Sequence, residues 1–237
     1  MKKTIAYIAI SCVAILSSGF SILPSINEPA TTAASSYIDE RQDFCETASL
    51  LYDELNLKAL GLAEDAFDYA YKGYQYLLEN DKISDQDYLT ICDFTQSSRE
   101  KRLYIIDISN NKVVENTYVA HGHNSGGEFA RRFSNKLRSK QSSLGFYVTR
   151  NTYVGEHGLS LRLEGMEPGF NDKAYQRAIV MHGANYIGNG FTGRSYGCPA
   201  VPKKESSRII NTIKNGTCLF IYHPDKKYIQ GSKILND

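Results

Sequence analysis

The patterning of this chain predicts a mainly β domain preceded by a helical segment, α+β overall, and three observations carry that expectation. Between residues 40 and 80, apolar side chains recur at the three-to-four spacing of a helix face. From Arg102 onward the period changes to short apolar runs, alternating or continuous, separated by turn residues. Thirteen of the eighteen glycines fall between residues 122 and 197. Loops dense in glycine on a β scaffold are where functional sites are usually built.

Taken in order, the chain begins with Lys2-Lys3, an apolar stretch from Ile5 to Leu23, Pro24, and a small-residue run at Ala30–Ser35. This is the pattern of a secretory signal peptide cleaved after Ala33 or Ala34, so residues 1–34 are assigned to it. The stretch also approaches the ~20 residues that span a bilayer, which makes an uncleaved anchor the alternative and the signal segment the one expected membrane contact. Residues 35–98 read as a linker and helical segment. Ala48, Leu51 and Leu55 mark a first helix within 44–57, and Leu62, Ala66, Ala70, Tyr74 and Leu77-Leu78 mark a second. Residues 99–223 form the domain expected to carry the chemistry. Leu103–Ile108 and Val113–Ala120 flank Asn110-Asn111-Lys112 as a β-hairpin. Further strands are expected at Gly145–Thr149, Ser160–Leu163, Ala178–Met181 and Thr217–Tyr222, and a helix at Lys203–Lys214. Residues 224–237 are left as a C-terminal tail.

Forty-two per cent hydrophobic residues and seventeen tyrosines suffice for one packed core. A net charge of +1 argues against a general nucleic-acid binder, whose phosphate contacts need a marked excess of Lys and Arg. Five cysteines are present, and Cys12 departs with a cleaved signal. Cys45 and Cys92 are candidates for a disulfide, whose loop of roughly fifty residues would contribute about 4 kcal/mol. Cys218 alternates into an apolar strand and reads as an inert, buried thiol.

The chemistry points to His182 and Cys198. His182-Gly183 ends an apolar run, and sixteen positions after the histidine comes Gly197-Cys198-Pro199. A thiol titrates near ~8.5, so a cysteine nucleophile needs an imidazole or another positive group to hold the thiolate. Pro199 has no N–H, so an oxyanion hole around this turn must draw on Cys198, Gly197 or Tyr196. Gly197 can adopt the positive φ that such a turn demands.

The segment Gly193–Pro202 (GRSYGCPAVP), with VAHGHNSGG at 119–127 and SSLGFYVT at 142–149, resembles the murein L,D-transpeptidase catalytic domain family, peptidoglycan cross-linking enzymes. The match rests on His182, Gly183, Ser195, Gly197 and Cys198, and the resemblance covers most of residues 99–223. Tyr196 replaces a histidine of the family motif, and Ala200 stands where Arg or Asn is usual. The resemblance implies a mainly β catalytic domain of the L,D-transpeptidase type in the periplasm or outside the cell. It implies no cofactor, and peptidoglycan stem peptides as partners. In the implied reaction Cys198 forms a thioester with a stem tetrapeptide and releases D-alanine, and an amine acceptor then gives the cross-link. Water as acceptor would make an L,D-carboxypeptidase, and loss of activity would leave a peptidoglycan-binding envelope protein. The carbonyl of Gly183 would hold the second nitrogen of His182, which fits the absence of any Asp or Glu from Lys173 to Lys204. A papain-like enzyme places its cysteine before its histidine, the reverse of the order here.

The remaining candidates are secondary. Ser195 would support the loop or the base. Arg194 and Arg162 are the guanidinium groups available to fork a substrate carboxylate. His121 and His157 each precede glycine and are expected to line the cleft. Together with His123 and Cys198 they raise a zinc alternative, but no paired-cysteine or HExxH pattern supports a metal. Arg131, Arg132, Lys136, Arg138 and Lys140 form an acid-free basic stretch that is either solvated or turned toward an anionic polymer.

Overall fold

A computed structural model describes residues 46–187 and 194–237. The signal segment, Cys45 and Gly193 lie outside these residues. Residues 46–54 are helical (α1), followed by α2 (Glu64–Glu79). Ala66, Phe67, Ala70, Tyr71, Tyr74 and Leu77 form the buried face of α2, at the spacing read from the sequence. Gly73 is the cost of close packing on that face. A Cβ there would fall inside the ring of Phe146, which stacks on Phe220 with centroids 4.1 Å apart. A glycine within a helix costs about 1 kcal/mol relative to alanine, a loss set against burial of these two rings.

The sheet contains β1 (Tyr88–Asp93), β2 (Leu103–Asp107), β3 (Lys112–Thr117), β4 (Gly145–Gly155), β5 (Gly158–Gly165), β6 (Val180–Ala184), β7 (Ala200–Pro202) and β8 (Cys218–Tyr222). Their order is β3-β2-β1-β8-β4-β5-β6-β7. The β1–β8 and β6–β7 pairs are parallel and the other neighbours are antiparallel. The β2–β3 hairpin turns through Asn111 at φ 45°, a left-handed conformation that asparagine tolerates. Between β7 and β8, α3 (Lys203–Ile213) lays Ser206, Ile209, Ile210 and Ile213 inward.

The fold is thus mainly β with flanking helices. It differs from the expectation in three places. β1, in the segment expected to be linker and helix, is a central strand between β2 and β8, so the sheet begins before residue 99. β7 is a three-residue edge strand, too short to leave a periodic signal. The expected tail forms α4 (Lys226–Gly231) and α5 (Lys233–Asn236), which bury Tyr228, Ile234 and Leu235. Tyr228 Oη (2.9 Å) and the Ser232 hydroxyl donate to the buried carboxylate of Glu167, which also accepts from Phe146 N at 2.7 Å. Cys92, expected to pair with Cys45, is a fully buried free thiol, and Cys45 itself lies outside the described residues. Among the described residues no helix is long and apolar enough to cross a membrane.

Candidate active site

His182 is built into β6, where the residue on either side alternates to the opposite face of the sheet. In register it pairs with Ser160 of β5 and Ala200 of β7, while Arg162 of β5 pairs with Val180. These rows put Arg162, Val180 and His182 on one face. Gly183 has to be small, because a Cβ there would collide with the Ser206 side chain and lie 2.9 Å from Lys203 Cδ at the start of α3. The histidine is only 4% exposed. Its Nδ1 is 3.2 Å from the Gly183 carbonyl. A carbonyl only accepts, so Nδ1 carries the proton and Nε2 is left with a free lone pair.

The tip of the β4–β5 hairpin, closed by the Gly155–Gly158 pair with Gly158 at φ 81°, carries His157 over this ring. The two imidazoles stack with centroids 4.2 Å apart. Lys203 Nζ donates to the His157 carbonyl. Burial first, then the charges of His157 and Lys203, lower the His182 pKa below the ordinary 6.5, against the Gly183 carbonyl, which acts the other way. His182 is therefore neutral at pH 7.

The cysteine turn is organised by Ser195. Its hydroxyl donates to the Cys198 carbonyl at 2.6 Å and accepts from Gly197 N at 3.1 Å. Its backbone is docked on the 121–123 segment, with Ser195 N donating to the His121 carbonyl (2.9 Å) and His123 N to the Ser195 carbonyl (2.6 Å). Gly197 sits at φ 121°, and a Cβ on it would lie 2.7 Å from the Gln141 carbonyl. Both facts require glycine. Because β6 and β7 run parallel with His182 opposite Ala200, Cys198 falls alongside Val180, one strand over and two residues before the histidine. The thiol is 3.6 Å from the Ala178 carbonyl. Burial raises its pKa, while the Val180 backbone and the Arg177 guanidinium pull it back down. With the thiol raised and the imidazole lowered, the resting pair is neutral, which replaces the resting thiolate expected from the sequence.

Other expected site residues fall elsewhere. His121 does not line the cleft: it is fully buried, and its Nδ1 accepts from Arg102 Nη2 at 2.8 Å. The Arg102 guanidinium, itself fully buried, needs acceptors and takes the Val119 and Gln96 carbonyls as well. Burial and the Arg102 charge push His121 down to about 4. The Gly197 N–H is spent on Ser195, leaving Tyr196 and Cys198 from the expected oxyanion donors. Tyr196 is 72% exposed, with Lys140 Nζ 4.5 Å above its ring. Arg162 is half-buried, its guanidinium 4.5 Å over the Tyr153 ring, and Arg194 is exposed and reaches the Gly126 carbonyl at 3.4 Å. Among the described residues no three His, Cys, Asp or Glu side chains gather into a metal site.

Three neighbours of the site escaped the sequence reading: Arg177, Tyr186 and Lys203. Tyr186 is close enough to Cys198 for the thiol to raise the pKa of its phenol, after burial. Lys203 had a legible signal, since a cation in the first turn of a helix opposes the helix dipole and needs another reason to be there.

Residues 58–222 match the family described as L,D-transpeptidase catalytic domain. A search of curated proteins found no match. Among solved structures, an L,D-transpeptidase from Mycobacterium smegmatis is 9% identical, with 58% of this chain and 59% of that one covered and a TM-score of 0.38. L,D-transpeptidase 3 from Mycobacterium tuberculosis is 10% identical, with coverage of 58% and 61% and a TM-score of 0.39. An L,D-transpeptidase from Stackebrandtia nassauensis is 14% identical, with coverage of 65% and 66% and a TM-score of 0.35. The match spans about three-fifths of the length of the first two.

Proposed function

The chain belongs to the L,D-transpeptidase catalytic domain family, and from that premise we propose that it is a cysteine-dependent acyltransferase of the cell envelope, acting on peptidoglycan stem tetrapeptides. The observation that carries the reading is the β6–β7 register, which sets Cys198 beside the strand bearing a neutral His182 whose Nε2 is free to take a proton. Export by the signal segment, residues 1–34, belongs to the same proposal.

In the first half-reaction the thiol exchanges its contact with the Ala178 carbonyl for Nε2 of His182. The proton passes to Nε2 as sulfur attacks the carbonyl carbon between the third residue of the stem and its terminal D-alanine. The tetrahedral oxyanion is held by the N–H groups of Cys198 and Tyr196. Its collapse breaks the C–N bond, the His182 imidazolium protonates the departing amine, and a thioester remains on Cys198. In the second half-reaction His182 removes a proton from an incoming amine, which attacks the thioester and releases the thiol. A neutral resting pair suits this cycle, because each half begins with His182 as a base. Arg162 on the same face, and Arg194, are assigned to the substrate carboxylates.

The test is to incubate the purified protein with disaccharide-tetrapeptide muropeptides and identify products by mass. Loss of D-alanine with formation of a cross-linked dimer is expected, and both should vanish in Cys198→Ala. Loss of D-alanine without a dimer would make water the acceptor. An unchanged product yield in Cys198→Ala would refute the assignment.

A further inference from the structure

We propose that Arg177 is a positioning residue of this reaction: one guanidinium clamps the 134–143 segment beneath the Gly197-Cys198 turn and fixes a positive charge beside the thiol. The inference rests on the reading of Cys198 as the nucleophile.

The geometry comes from both ends of the side chain. Nη1 donates to the Ser134 carbonyl at 2.6 Å and to the Ser143 hydroxyl, and Nη2 donates to the Gln141 carbonyl at 2.5 Å and the Ser139 hydroxyl at 3.2 Å. The clamped segment does not hold its shape cheaply. Arg138 and Lys140 lie at φ 58° and 55°, left-handed conformations that cost roughly 1–2 kcal/mol each for such residues. The same Nη2 and the same Gln141 carbonyl lie 3.2 and 2.7 Å from where a Cβ of Gly197 would stand, so clamp and cysteine turn are in direct contact. The backbone end matters too. Ala178, the next residue, sits at φ 52° and aims its carbonyl at the Cys198 sulfur, 3.6 Å away.

All four acceptors on Arg177 are neutral carbonyls or hydroxyls. Among the described residues it forms no ion pair, and the sequence offers no acid from Lys173 to Lys204. Its charge is thus uncompensated and acts on what it faces. That is Cys198 and, from β4, the buried phenol of Tyr147. Cys198 in turn faces Arg177, the Val180 backbone and Tyr186. Arg177 opposes the burial that otherwise raises the thiol, and a developing thiolate gains from it as sulfur gives up its proton. The division of labour follows: His182 takes the proton and Arg177 favours the charge left behind.

The experiment reads the thiol without any substrate. Alkylation of Cys198 by iodoacetamide, followed by peptide mass spectrometry across pH, is compared in the full-length protein, Arg177→Gln and Arg177→Lys, with thermal melting as the folding control. Arg177→Gln should move the alkylation midpoint upward, with about a tenfold slower rate at neutral pH. Arg177→Lys should keep the wild-type midpoint yet lose muropeptide turnover, since a single ammonium cannot hold four acceptors. A folded Arg177→Gln with the wild-type midpoint would overturn the inference while leaving a Cys198-dependent turnover intact. If Arg177→Gln does not fold, the lysine variant decides: a retained midpoint with lost turnover supports the clamp, and an upward shift of the midpoint overturns it.

Discussion

The dipeptide His-Gly occurs three times in the glycine-rich half of the chain, at His121, His157 and His182, and the structure puts the two buried copies, the first and the last, in opposite surroundings. His121-Gly122 and His182-Gly183 are both buried, and both glycines are forced by close neighbours: the 140–142 backbone at Gly122, where a Cβ would lie 2.7 Å from the Lys140 carbonyl, and the start of α3 at Gly183. What separates them is the group on Nδ1. At His121 a guanidinium donates to it, so Nδ1 must accept and the proton sits on Nε2. At His182 a carbonyl accepts from it, so the proton sits on Nδ1 and Nε2 is open. The first ring is a structural acceptor for a buried cation, and the second has the open Nε2 that the proposed base requires. The lesson is that the partner of one ring nitrogen assigns the role of the other.

Removing the two rings should therefore give different defects. His182→Ala is expected to lower muropeptide turnover by about 10²–10⁴, the usual worth of a general base, with little change in melting temperature. A turnover loss no larger than that of a surface substitution would break the contrast. Next in size is Gly197→Val, which forces a side chain into φ 121° and against the Gln141 carbonyl. At least a tenfold loss of turnover is expected from distortion of the turn, read as a fall in kcat.

His121→Gln should instead change how stability depends on pH. The folded-state pKa of His121, about 4, lies below its ordinary 6.5, so the unfolded chain binds more protons between these values. Its contribution to stability is full above pH 6.5 and lost as pH falls toward 4, about 3 kcal/mol in all. Burial raises Glu167 and works in the opposite direction above 4.5, so the measurement is the difference in acid dependence between wild type and variant. Denaturant melts at pH 7, 5.5 and 4 should show a shallower loss for His121→Gln, while its turnover at pH 7 stays within a few-fold. Equal slopes would place the acid sensitivity elsewhere. The smallest effect is expected for Tyr196→Phe, since the phenol is exposed and the ring face under Lys140 is retained. Turnover should stay within twofold. A variant as inactive as Cys198→Ala would bring the hydroxyl into the chemistry.

Periodicity made α2, the β2–β3 hairpin and α3 legible, because one-sided burial repeats along a helix or strand and survives in the order of residues alone. The same holds for the cysteine turn: a glycine before Cys198 and a proline after it announce a constrained backbone. β7 and the two terminal helices were not legible, being shorter than two full repeats of their pattern. Nor was Arg177, whose partners lie more than thirty residues away in the chain.

The sequence by itself therefore determined the main elements, the family resemblance and the nomination of Cys198 and His182, all of which depend on neighbours in the chain. The tertiary structure decided which of the two buried His-Gly pairs leaves Nε2 open, that the resting pair is neutral, that Gly197 N is spent on Ser195, and that Arg177 faces the thiol. The physical reason is that tautomer, pKa and charge are set by whatever lies within a few ångströms in space, and here those groups come from β4, β5, α3 and the 134–143 segment.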